Sequence, residues 1–316
     1  MSLAIDPELV PWVPALPTFD FADPVATRAM VKEMTRSIAR DLPDTILIRN
    51  YTVPGDTDRP AVNVRVYSPT AQVSSLPALV YFHGGGYVTG EPADYDSALT
   101  ELTAAVDAVV VSVDYRLAPE NPFPAGLRDC YAALLWTVDN AEELRIDPDW
   151  LAIGGESAGG GLAAAVALLN RDRGGPSLRL QWLGIPAVDH RGETESMTTL
   201  TDTPMLARAA AVNAWKHYTA GGTLVDGEDW TRYAAPATAT DLSALPAAYI
   251  EVGQYDPLRD EGIEYARRLA QADVSTELRL YPGVFHGATA VRGVKVVERI
   301  IAEQHAALRR ALHPEG

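Results

Sequence analysis

Ser157 stands in the run Gly155-Glu156-Ser157-Ala158-Gly159-Gly160, between an apolar stretch and Leu162 to Leu169, whose composition is helical. A serine flanked by glycines between a strand and a helix is a nucleophile elbow, a turn so tight that neighbouring side chains would clash. Such a turn lifts the hydroxyl above the end of a sheet, where it can attack an acyl carbon. A second glycine-rich loop, His83-Gly84-Gly85-Gly86, follows another apolar run. Its backbone N–H groups carry no shielding side chains, which suits a developing oxyanion. Either loop alone is a weak signal, because glycine and serine are common turn formers. Both together, oxyanion loop first and each behind its own strand, point to serine-dependent acyl transfer.

A serine hydroxyl needs a base within hydrogen-bond reach and a third group to orient that base. Of the six histidines, His305 and His313 lie in the C-terminal helical tail, His217 in a helix, and His190 in an irregular segment. His83 belongs to the oxyanion loop. His286 follows the last strand in Tyr281-Pro282-Gly283-Val284-Phe285-His286-Gly287-Ala288, at the sheet end where open α/β folds gather their chemistry. Three acids compete for the orienting role. Asp256 follows Ala248-Tyr249-Ile250-Glu251-Val252 and is favoured, although Asp before Pro257 is also a helix-start signature. Asp260 falls one turn into the next helix, and Asp189 ends the strand beside the elbow.

These residues need a sheet to position them. Ile46 to Val53 and Val62 to Tyr67 alternate in character and read as antiparallel edge strands. Ala78 to Phe82 and Ala108 to Val113 are continuously apolar, as strands covered on both faces should be. Further strands are read at Leu151 to Ile153, Leu180 to Ile185, Ala247 to Val252 and Glu277 to Tyr281. Helical patterns run through Tyr95 to Ala105, Ala125 to Asn140 and Gly160 to Arg171. The alternation predicts an α/β fold with a mostly parallel, eight-stranded sheet and right-handed crossovers. Residues 190–238 interrupt it, with a helical stretch near Pro204 to Tyr218. With residues 1–41, helical from Pro24 to Arg40, they read as a cap or lid. Residues 42–189 and 239–316 then form the catalytic domain.

The chain has 316 residues, 47% of them apolar, enough for one large domain with a substantial core. Its 42 acidic and 26 basic residues give a formal charge of −16, which argues against nucleic acid or an anionic membrane as a partner. The single cysteine, Cys130, lies in a helical pattern and reads as a buried, inert thiol. The acidic, proline-broken start has no signal-peptide pattern, and no apolar run approaches the roughly 18 residues of a membrane span. A cytoplasmic enzyme is expected, with neither cofactor nor metal in its reading.

In family terms the sequence resembles the bacterial hormone-sensitive-lipase-like α/β hydrolases. The likeness rests on His83 to Gly86, Tyr115-Arg116-Leu117-Ala118-Pro119-Glu120 with Phe123-Pro124-Ala125, Gly155 to Gly160, Asp256-Pro257-Leu258-Arg259-Asp260 and His286-Gly287. It implies a carboxylesterase with a small helical cap, with Ser157 as nucleophile, His286 as base and Asp256 as orienting acid. The implied oxyanion donors are the N–H groups of Gly84, Gly85 and Ala158. Glu156 stands where the family commonly has aspartate. Tyr87 replaces a frequent apolar aromatic, which would make the alcohol side of the pocket more polar. The Tyr115 to Glu120 motif reads as structural. Trp12, Phe19, Met205 and Trp215 are candidate pocket walls. The implied reaction is hydrolysis of short- to medium-chain acyl esters through an acyl-enzyme, in a chain that forms a homodimer along a sheet edge. A catalytically silent ligand-binding protein, an amidase and an interfacial lipase are the alternatives.

Overall fold

The computed structural model describes residues 3–38, 42–57, 59–220 and 230–313. α1 (Pro24–Ile38) precedes an antiparallel pair, β1 (Ile46–Val53) and β2 (Val62–Pro69). Strands and helices then alternate: β3 (Leu76–Phe82), α2 (Asp96–Val106), β4 (Val109–Asp114), α3 (Ala125–Asp139) and the short α4 (Ala141–Leu144). β5 (Ile146–Glu156), α5 (Ala158–Asp172) and β6 (Leu180–Gly184) continue the pattern. α6 (Glu195–Thr199), α7 (Arg208–Thr219) and α8 (Thr231–Ala234) interrupt it. β7 (Ala248–Tyr255), α9 (Arg259–Gln271), β8 (Thr276–Phe285) and α10 (Lys295–Leu312) complete the chain.

The eight strands form one sheet in the order β1-β2-β4-β3-β5-β6-β7-β8. β2 runs antiparallel to both its neighbours, and from β4 to β8 every pairing is parallel. Both early strands had been expected at an edge, but only β1 is outermost. β2 is interior because Val62, Val64 and Val66 bury one face while Tyr67 fills the other. Alternate residues of each strand serve opposite layers. Ala78, Val80 and Phe82 join Leu127 and Leu134 of α3 and Leu162, Val166 and Leu169 of α5. Leu79 and Tyr81 join Leu99 and Leu102 of α2 and Leu308 and Leu312 of α10. Cys130 is fully buried in the first layer, and burial pushes its thiol well up.

β3 has β4 on one side and β5 on the other, so the strand order reverses between β3 and β5. Loops leaving two such strands at their C-terminal ends diverge and open a crevice. The two glycine-rich loops leave those two strands. Above the crevice lie parts of both segments read as a cap, bridged to each other where Thr18 pairs with Met205. Arg28 of α1 donates to Val88 O and Ala118 O and pairs with Glu120. Tyr218 of α7 stacks on Tyr87 with ring centroids 3.9 Å apart. Residues 1–2, 39–41 and 221–229 of the expected cap lie outside the described residues. Among the described residues no helix is long and apolar enough to cross a membrane.

Candidate active site

Ser157 occupies a sharp corner with φ +58° and ψ −119°, a region that non-glycine residues enter only when the surroundings enforce it. Its own N–H donates to Gly184 O at 2.8 Å. The flanking glycines are required by the carbonyl of Phe82: a Cβ at Gly155 would stand 2.2 Å from that oxygen, and one at Gly159 1.9 Å. α5 begins at once and is buried from Ala158 to Asn170, so the corner rests on a helix with little freedom to shift. Burying a leucine such as Leu162 or Leu168 there stabilises the fold by roughly 1.5–3 kcal/mol.

His286 follows β8, with Nε2 2.9 Å from Ser157 Oγ and Nδ1 2.8 Å from Asp256 Oδ2. Asp256 is fully buried after β7 and uses its other oxygen too, Oδ1 accepting the Leu258 N–H at 2.8 Å. The helix-start and orienting readings of this aspartate therefore coexist. The competing acids are engaged elsewhere. Asp260 accepts the Ser196 N–H at 2.7 Å and pairs with Arg259; Asp189 pairs with Arg191. His83 is buried with Nδ1 2.8 Å from Gly84 O, and loss of water brings its imidazole down to about 4.

The sequence reading takes the N–H groups of Gly84, Gly85 and Ala158 as oxyanion donors. The Gly84 N–H donates to Tyr95 Oη at 3.1 Å, so it is already committed. The N–H groups of Gly85, Gly86 and Ala158 have no acceptor among the described residues. Gly85 has φ +120° and Gly86 φ +60°; a Cβ at Gly85 would meet Thr89 O at 2.1 Å, and one at Gly86 the Phe21 ring at 2.7 Å. The Tyr115 to Glu120 motif braces this loop: Tyr115 Oη donates to His83 O at 2.8 Å, Arg116 grips Asp129, and Glu120 receives Arg28.

A cavity of about 500 Å³ opens over Ser157, with Phe19, Phe21, Met205, Leu206 and Trp215 in its walls. Trp12 is not among them and is 46% exposed. Tyr87 lines the cavity with its ring, but its hydroxyl donates to Ala187 O at 3.0 Å. That bond turns the oxygen away, so the expected polar contribution is not made. Glu156 also borders the cavity, its Oε1 3.5 Å from Thr289 Oγ1, and burial raises its carboxyl. Sequence reasoning passed over Tyr95, Phe21 and Glu251. For Glu251 a signal existed, a lone acid inside an apolar parallel strand.

A family model described as alpha/beta hydrolase fold matches residues 79–290. The carboxylesterase NlhH of Mycobacterium tuberculosis is 40% identical over 98% of this chain and 97% of its own length. An arylesterase of Saccharolobus solfataricus is 37% identical over 67% of this chain and 68% of its own. Among solved structures, a bacterial heroin esterase superposes with TM-score 0.93 at 44% identity, covering 98% of each chain. A thermostable esterase from Pseudomonas putida gives 0.90 at 29% identity over both whole chains.

Proposed function

The chain belongs to the hormone-sensitive-lipase-like family of α/β hydrolases and is a carboxylesterase; we propose that Ser157, His286 and Asp256 carry its reaction. What supports the reading is the unbroken relay from Ser157 Oγ through His286 to Asp256, with contacts of 2.9 and 2.8 Å. Ser157 attacks the acyl carbon as its proton passes to His286 Nε2, and Asp256 holds Nδ1–H and balances the imidazolium. The carbonyl oxygen becomes an anion that takes hydrogen bonds from the N–H groups of Gly85, Gly86 and Ala158. Each such donor contributes about 10²–10³ in rate. The proton then passes from Nε2 to the leaving alcohol oxygen. Water repeats the sequence on the acyl-enzyme and releases the acid.

The substrates in this reading are short- to medium-chain esters, favoured by the acidic, Ala- and Thr-rich composition of residues 190–238, with Phe19, Phe21, Met205 and Trp215 among the walls of the cavity. Residues 1–41 and 190–238 act as its cap. A homodimer along β8 is part of the reading, favoured by the exposed Leu278 and Leu280 on that outermost strand. So is a cytoplasmic site of action, favoured by the lone buried thiol of Cys130. The test is hydrolysis of p-nitrophenyl butyrate: Ser157→Ala should lose about 10⁶-fold in kcat. Retention of most activity would refute the reading, and a faster rate on the C16 ester than on C4 would refute the chain-length preference.

A further inference from the structure

Two acids lie close together beneath the loop that carries His286. Glu156 ends β5 and Glu251 lies in β7, and Gly184 of β6 is the register partner of both. Strands two apart in a sheet are about 10 Å from each other, yet these side chains lean towards one another over the glycine. A Cβ at position 184 would stand 3.0 Å from Glu156 Cγ and 3.2 Å from Glu251 Oε1. Glu251 is only 2% exposed; Gln304 of α10 donates to its Oε1, and its Oε2 has no partner among the described residues. A hollow of about 20 Å³ is bordered by Glu156, Glu251, Gly287 and Thr289, enough for a single water.

Two carboxylates facing one another, one of them 2% exposed, do not readily ionise together. Burial first, and then the charge of Glu156, raises the Glu251 carboxyl from the ordinary 4.5 to about 8. Burial raises Glu156 as well, but the field of His286 opposes it. The other groups facing Glu156 are Tyr81 of β3, Tyr95 ahead of α2, and Arg292 beyond Thr289. Those facing Glu251 are Trp182 of β6, Tyr249 of β7, Tyr281 of β8, and Glu303 of α10 beside Gln304. None of them places a cation between the two acids.

We propose that only one of Glu156 and Glu251 ionises, Glu156 facing the catalytic imidazolium as an anion and Glu251 remaining a neutral acid beside it. Glu156 is then a positioning residue that acts through His286, and Gly184 is what lets its partner approach. The imidazolium formed when Ser157 gives up its proton lies between two anions, Asp256 at Nδ1 and Glu156 beneath. This rests on His286 being the base.

The test is the pH dependence of kcat/KM on p-nitrophenyl butyrate. Glu156→Gln removes an anion near the imidazolium, so the acid limb should move about one pH unit lower and kcat should fall about tenfold, one unit being a factor of ten. Glu156→Asp, which keeps the charge, should restore most of both. Glu251→Gln should leave the acid limb in place and remove the inflection that a second acid ionising near pH 8 gives the wild-type alkaline limb. An acid limb unmoved in Glu156→Gln, or an alkaline limb unchanged in Glu251→Gln, overturns the pair. Should Glu156→Gln fail to fold, the alkaline limb of Glu251→Gln decides alone. Activity persisting in Ser157→Ala would instead overturn the nucleophile assignment, so the two failures are separable.

Discussion

Replacing Glu251 with glutamine should change how stability depends on pH, and the size of the change follows from its surroundings. The side chain is 2% exposed inside β7, where burial and the neighbouring Glu156 raise its carboxyl from 4.5 to about 8. Between those values the folded protein holds a proton that the unfolded chain has released, so stability falls as pH rises. The contribution is nearly complete at pH 5, just above the unfolded value, and almost gone at pH 8. At 1.36 kcal/mol per unit, this one group should cost the wild type on the order of 3–4 kcal/mol over that interval. Glutamine has no proton to lose, and its amide oxygen can still accept from Gln304. The difference between the two proteins therefore reports this carboxyl together with Glu156, to which it is coupled. Urea unfolding followed by tryptophan fluorescence at pH 5, 6.5 and 8 measures it. Glu251→Gln should gain steadily on the wild type as pH rises, by roughly 3–4 kcal/mol in unfolding free energy at pH 8 relative to pH 5. Two stability curves that stay parallel across this range would refute the reasoning.

Asp256→Asn should keep the fold, since the amide oxygen can still accept the Leu258 N–H, but its NH₂ would face His286 Nδ1 and force the wrong tautomer. A fall of about 10⁴ in kcat with little change in Tm is expected; activity within tenfold of wild type would exclude the orienting role. Tyr95→Phe removes the acceptor of the Gly84 N–H, at 3.1 Å, and leaves that donor without its partner. It should cost about 1–2 kcal/mol of stability and lower kcat several-fold more than it raises KM. Equal kcat in the two proteins would show that this bond does not hold the oxyanion loop in shape.

Some features of the fold and site were legible because each is written locally. Apolar runs as short as Ala78 to Phe82 mark strands covered on both faces, and the glycines beside Ser157 mark a corner that Phe82 O leaves no room to crowd. His286 stood out because the other five histidines fell in helices, the cap or the oxyanion loop, while it follows the last strand read, Glu277 to Tyr281. That the Gly84 N–H is engaged could not be read, because a glycine run does not say which amide already has an acceptor. That depends on Tyr95, eleven residues on from Gly84, whose hydroxyl takes the first N–H. Tyr87 misled for a similar reason: residue type shows a hydroxyl, while the fold aims it at Ala187 O, a hundred residues away.

Glu251 marks where reading along the chain stops. An acid within an apolar parallel strand is a visible anomaly, and one sequence is enough to notice it. Its meaning lies across the strands. Glu156, Gly184 and Glu251 are far apart in sequence, the last two separated by the whole of residues 185–250. They become a row only when crossovers set β5, β6 and β7 side by side in this register. A slip of one residue in either pairing would turn a carboxylate to the opposite face of the sheet. Gly184 gives no warning either, since a glycine at a strand end reads as a simple turn signal. Yet any side chain there would push between the two acids, at 3.0 Å from one and 3.2 Å from the other. The motif that performs the chemistry is local and repetitive, whereas the charge beneath it is set by register, so the two can vary independently.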